Sequence, residues 1–94
     1  MELLNFEWDE EKNEANKRKH GVGFDTAMLI WEDADRIERY DDIHSVDEDR
    51  WISIGKVKDV LFVVHTDRGE AIRIISARIA TKQEREEYYG QSNY

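Results

Sequence analysis

Two stretches carry most of the chain's candidate chemistry. Asn16-Lys17-Arg18-Lys19-His20-Gly21 gathers three cations and a histidine just ahead of a glycine. Ile72-Arg73-Ile74-Ile75-Ser76-Ala77-Arg78 sets two arginines and a serine in an otherwise apolar run. Arg50 opens a third stretch, Arg50–Gly55, and His65 directly follows a fourth, Val60–Val64. These residue types are what RNA cleavage without a metal requires. A base must take the 2′-hydroxyl proton, an acid must protonate the departing 5′-oxygen, and cations must stabilise the crowded, doubly charged phosphorane. Arginine suits the last task because its planar fork matches phosphate oxygens.

Each of these residues also has a plainer structural reading. Lys17, Arg18 and Lys19 fall in the last turn of a helix, where cations complement the dipole. His20 reads equally as a half-buried histidine bonded to a backbone carbonyl, and His65 as a structural histidine at a strand end. Arg50, Arg73 and Arg78 can each pair with one of the many acids. A buried unpaired guanidinium is too costly, so Arg73 either lies on an open sheet face or is paired internally. On the first helix Lys12, Asn16 and either Lys19 or His20 share a face. Tyr88 and Tyr89 follow Arg85 by three and four residues, a spacing that stacks one ring on its guanidinium.

The elements that must position these residues follow from local signals. Leu4–Trp8 reads as a short strand. Asp9 caps a helix, with Glu10 and Glu11 in its first turn, that runs to about Lys19 with Gly21 just past its end. Ala15 is almost the only apolar residue on that helix, so the flanking Phe6, Trp8, Val22 and Phe24 must hold it. Asp25 caps a second helix, with Phe24 stapled onto Leu29. One weak strand is expected at Ile37–Tyr40. Arg50–Gly55 alternates, and Val60–Val64 is continuously apolar like a strand covered on both faces. Asp67-Arg68-Gly69 reads as a hairpin turn, and Ala71–Ala77 is the last strand. Strict alternation there groups Arg73 with Ile75 and Ala77, and Ile72 with Ile74, Ser76 and Arg78. Thr81 and Glu84 form a capping box for a final helix that ends at Gly90. Short turns between consecutive strands and helices at the ends of the sequence predict an α+β fold: a small antiparallel β-sheet with two N-terminal helices and one C-terminal helix.

Composition bounds the possibilities. The 94 residues are one domain's worth. Charged residues make up 38%, but three Trp, four Tyr and three Phe favour a folded core over disorder. No cysteine means no disulfide and no thiolate metal site. The first residues lack the basic start and apolar run of a signal peptide, and no stretch approaches a membrane span. The formal net charge of −8 argues against loose binding to nucleic acid. It hides a split, however. Glu32 to Asp49 holds nine acids against two arginines, whereas Arg50 to Arg85 holds eight cations against four acids. Within the acidic segment Asp41, Asp42, His44, Asp47, Glu48 and Asp49 are all possible metal ligands. Their spacing fits no EF-hand, and a solvated charge run is the simpler reading.

Taken together, FEWDEEKNEANKRKHGVGFDTA and IRIISARIATKQEREEYY, with EDRWISIG and LFVVHTDRG between them, resemble the BrnT family of toxins from BrnT–BrnA type II toxin–antitoxin modules. The resemblance spans nearly the whole chain, so residues 1–94 read as one BrnT-like toxin domain. It implies a RelE-like fold and a ribonuclease that shuts down translation in the cytoplasm. It also implies a partner, a BrnA-like ribbon-helix-helix antitoxin, in a heterotetramer. The family-like polar positions are Lys12, Asn16, Lys19, His20, Glu48, Arg50, His65, Arg73, Ser76, Arg78, Glu84, Arg85 and Tyr88. The resulting expectation is a cofactor-free, metal-independent endoribonuclease. His20 is its general acid or base, with His65 in reserve. Arg50, Arg73 and Arg78 converge on phosphate, while Lys12, Lys19, Arg85 and Tyr88 bind RNA. The acidic segment is expected to lie away from that site. The competing expectation is a non-catalytic interaction domain, for which the acidic surface is suited.

Overall fold

A computed structural model describes residues 4–91. Five strands form one sheet in the order β1-β5-β4-β3-β2. They are β1 (Asn5–Glu7), β2 (Ile37–Tyr40), β3 (Trp51–Lys56), β4 (Val60–Arg68) and β5 (Ala71–Ile79). Strands β2 to β5 form the antiparallel meander that the short turns dictate. The sheet is nevertheless mixed, not purely antiparallel, because β1 lies parallel to β5, with Phe6 opposite Ile72 and Glu7 opposite Arg73. No hairpin constrains that pairing. The two strands are remote in sequence, so β1 is free to add in either direction.

Helix α1 (Glu10–His20) is capped as its sequence indicates: Asp9 accepts from the backbone N–H groups of Glu11 and Lys12. At the other end Gly21 sits at φ 73°, the left-handed conformation that glycine tolerates best. Its buried residues are two asparagines, Asn13 and Asn16. Asn13 Oδ1 accepts the Phe24 N–H at 2.8 Å. Asn16 Nδ2 donates to Val22 O at 2.9 Å and to Ala77 O at 2.7 Å, and Oδ1 accepts the Ala77 N–H at 3.3 Å. An amide side chain thus takes both backbone groups of a β5 residue beyond the reach of β1. A helix with little apolar surface is docked by hydrogen bonds.

The second helix is shorter than its apolar residues imply. α2 (Phe24–Ala27) is capped by Gly23, not Asp25, and passes into a 3-10 turn at Met28–Glu32. Phe24 is fully buried and is a core residue, not a surface staple. With Val22, Ala27 and Ile30 it packs on Leu61, Val63, Ile74 and Ala77, which line one face of the sheet. Trp8 meets Phe24 edge-on, and Phe6 meets Trp31. On the opposite face α3 (Lys82–Gly90), begun by the Thr81/Glu84 capping box, brings Tyr88 against Ile52, Ile54, Val60 and Ala80.

One irregularity in β5 matters for the site. Val64 pairs with Ser76 but His65 pairs with Ile74, so Ile75 is an extra, bulged residue. Alternation restarts after it. Arg73, Ser76 and Arg78 oppose Thr66, Val64 and Phe62, which share one face of β4. Ile74 and Ala77 oppose His65 and Val63 on the helix-covered face. The bulge therefore puts Arg73 and Arg78 on the same side, where unbroken alternation separates them.

Candidate functional site

The sheet face that carries α3 is only partly covered. Beyond the helix a pocket of about 380 Å³ is lined by Arg50, Ile52, Phe62, Val64, Ile75, Ser76 and Arg78, with Asp41 and His44 at its wall. Arg50 and Arg78 thus come together although 28 positions separate them in sequence. Phe62 supports Arg78 from below, with the guanidinium carbon 4.0 Å from the ring centroid. Glu84 holds the same guanidinium from the side, through bonds of 2.7 and 3.0 Å. Burial raises the pKa of Glu84, but the bonds from Arg78 and Thr81 outweigh it and hold the carboxyl below its ordinary value. Arg50 is fixed differently. Its backbone N–H donates to Ser45 Oγ at 2.8 Å, while its Nε is buried without a hydrogen-bond partner. Two guanidinium side chains bordering one cavity suit it to an anion.

Arg73 lies on the same face but is engaged elsewhere, with Nη1 2.7 Å from Glu7 Oε2. His65 is not part of this pocket. It faces the helices and is 3% exposed. Its Nε2 lies 2.8 Å from Ser53 Oγ, which also takes a bond from Arg36 at 2.7 Å, and its ring meets Trp31 edge-on. Burial lowers its pKa to about 4, with Glu38 opposing and Arg36 adding to that shift. The histidine is therefore neutral near pH 7. His20 is half-buried at the end of α1, one turn beyond the Asn16 amide that grips Ala77. Lys12 and Lys19 are exposed on that helix.

Two expected RNA contacts are placed structurally. Tyr88 is buried, and its hydroxyl donates to Asp33 at 2.5 Å. Burial and the Asp33 carboxylate both raise its pKa. Arg85 donates to Ala80 O at 2.9 Å. Tyr89 meets Tyr88 edge-on and lies under the Lys56 ammonium.

The acidic segment does not lie away from the pocket. Its end, Asp41–Arg50, folds over as one wall and brings Asp41 and His44 to the two arginines. Turn formation decides this. Ser45 Oγ donates to Asp41 O at 2.6 Å while accepting from Arg50 N–H, and Asp41 N–H donates to Arg50 O at 2.9 Å. Sequence reading placed His44 only among possible metal ligands. The signal available was Asp41-x-x-His44, six residues before Arg50, in a loop rich in turn formers. Among the described residues no group of three or more His, Asp or Glu side chains is arranged to hold a metal ion. Nor is any described helix long and apolar enough to cross a membrane.

The fold and pocket together define a small α+β protein with a five-stranded mixed sheet and two arginines lining one open cavity. The chain belongs to the BrnT family: the family described as "Ribonuclease toxin, BrnT, of type II toxin-antitoxin system" matches residues 8–84. The fold is also that of the Brucella abortus ribonuclease toxin BrnT, solved at 1.1 Å resolution. That similarity has a TM-score of 0.64 at 24% identity and covers 85% of this chain and 100% of that one. Comparison with curated proteins gave no match.

Proposed function

We propose that this BrnT-family ribonuclease toxin cleaves RNA without a metal ion, and that the Arg50–Arg78 pocket holds the scissile phosphate. The observation that carries the reading is that Arg50 and Arg78 both line one open cavity. Two guanidiniums placed in advance stabilise the charge that develops on phosphorus. His20, close in sequence to the clamped Asn16, is assigned as the acid that protonates the leaving 5′-oxygen. Lys12 and Lys19, on the same helix, steer RNA toward the sheet. Arg73 is held in reserve by Glu7 and reaches phosphate once RNA displaces that carboxylate.

In the cell this activity would arrest translation in the cytoplasm until a ribbon-helix-helix antitoxin covers the open sheet face. A stable complex takes roughly 800 Å² from each partner, an area that includes the pocket mouth on so small a protein. Dimerisation through the antitoxin's DNA-binding half would then give a heterotetramer, and the toxin would group with RelE-like folds.

The test is incubation of the purified protein with mixed-sequence single-stranded RNA in EDTA. Cleavage that persists in EDTA, and falls on the order of 10²-fold in Arg50→Ala, supports the assignment. Cleavage by wild type and Arg50→Ala at equal rates overturns it. The Arg78–Glu84 fork favours a second reading, in which the guanidinium is a structural strut of a non-catalytic interaction domain. No cleavage by the wild type, together with tight antitoxin binding, would select that reading.

A further inference from the structure

The loop between β2 and β3 is built around Ser45. Its hydroxyl bonds both Asp41 O and Arg50 N–H, and Asp41 N–H bonds Arg50 O. This knot holds His44 at the pocket wall. Asp41 Oδ2 lies 2.9 Å from His44 Nδ1 and is only 11% exposed in its side chain, whereas the His44 side chain is 65% exposed. A carboxylate oxygen can only accept, so Nδ1 donates here, and Nε2 is the ring nitrogen that Asp41 does not engage. The other charged groups around the ring are Arg50 and Arg78 across the pocket, and Asp47 and Glu48 in the loop beside it.

We propose that His44, oriented by Asp41, is the general base of the phosphate pocket. The proposal rests on the RNA-cleaving reading above and assigns it a base that the sequence did not single out. With phosphate between Arg50 and Arg78, His44 Nε2 takes the proton of the adjacent 2′-hydroxyl. The 2′-oxygen forms its bond to phosphorus as the bond from phosphorus to the 5′-oxygen breaks. The leaving oxygen takes a proton from the general acid, His20 in the assignment above. One product end is then a 2′,3′-cyclic phosphate and the other a 5′-hydroxyl. Asp41 holds the tautomer and stabilises the imidazolium that forms, a positioning role. The arginines serve a different need, since they meet the phosphate oxygens and move no proton.

The test compares wild type, His44→Gln, His44→Ala and Asp41→Asn in single-turnover cleavage of mixed-sequence single-stranded RNA in EDTA, across pH 5 to 9. The base role predicts that His44→Gln slows cleavage by about 10²–10⁴-fold with KM changed less than threefold, and that one limb of the pH profile disappears. Added imidazole should restore rate to His44→Ala and not to wild type. Asp41→Asn should lower kcat by about 10-fold at constant KM. The ring-nitrogen NMR signature of an Nδ1–H tautomer, present in wild type, should weaken in that variant. A His44→Gln rate within threefold of wild type overturns the base assignment and leaves the nuclease standing. A higher KM, or a rate loss that imidazole does not restore, also overturns it, in favour of RNA binding. A wild type that cuts no RNA overturns the nuclease reading, and the dyad falls with it.

Discussion

Replacing Asn16 with alanine should destabilise the protein by about 3 kcal/mol. The residue lies on a helix with almost no apolar surface, so the effect cannot come from lost hydrophobic burial. The Asn16 amide makes three bonds in a site that is 8% exposed. Truncation strands the Ala77 N–H and C=O and the Val22 C=O together. A buried unsatisfied backbone group costs about 1–3 kcal/mol, so three of them at the lower end of that range give about 3. For a domain of this size each kcal/mol lowers the melting temperature by about 4–8 °C, which predicts a drop of roughly 12–24 °C. The assay is urea unfolding followed by circular dichroism, with the m-value unchanged. Asn16→Asp is the sharper variant. It keeps an acceptor for Ala77 N–H but sets a carboxylate against two carbonyl oxygens, so it should be at least as damaging as alanine at pH 7. A loss below about 1 kcal/mol for alanine, or an aspartate variant more stable than it, would refute the view that this amide docks α1.

Other expectations follow from single contacts. His65 has a folded-state pKa of about 4 against an ordinary 6.5, so the unfolded chain binds its proton first. Stability should be fully present above pH 6.5 and fall by roughly 3 kcal/mol as pH drops to about 4, a slope that His65→Gln should flatten in urea titrations. Gly55→Ala would place a Cβ 2.8 Å from Ile30 Cβ, between β3 and the 3-10 turn, and should cost about 1–3 kcal/mol by overpacking. Arg78→Lys keeps the charge but loses the fork, so RNA cleavage should fall while the circular-dichroism spectrum stays native; unchanged cleavage would show that the fork is unnecessary.

The ends of α1, the start of α3 and the meander were legible because their causes are local. Asp9, Gly21 and the Thr81/Glu84 pair each act within a few residues of themselves. The hairpin turn was located nearly correctly: β4 runs on through Arg68, and Gly69, at φ 61°, makes the turn. Strand β1 was readable as a strand but not as the parallel neighbour of β5, since nothing in Asn5–Glu7 records a partner so far along the chain. The Ile75 bulge was equally silent. Without it, alternation assigns Arg73 and Arg78 to opposite faces, and the register alone corrects this. His65 misled for a related reason. A histidine at a strand end is open or buried according to what covers that face, and here Trp31 and Arg36 cover it from another part of the chain. His44 was obscured by its acidic neighbours, because charge density describes a solvated run and says nothing of how Ser45 folds the loop.

The Asn16 amide also governs how the sheet can be extended. Past Glu7 the outer side of β5 would offer bare backbone groups to any strand that drifted near, and at Ala77 the amide already occupies them. On that flank the described residues leave the three-residue β1 as the edge, too short to anchor much. On the opposite flank, among the described residues, β2 (Ile37–Tyr40) is the edge strand. The asparagine that docks a helix therefore also blocks strand addition at Ala77.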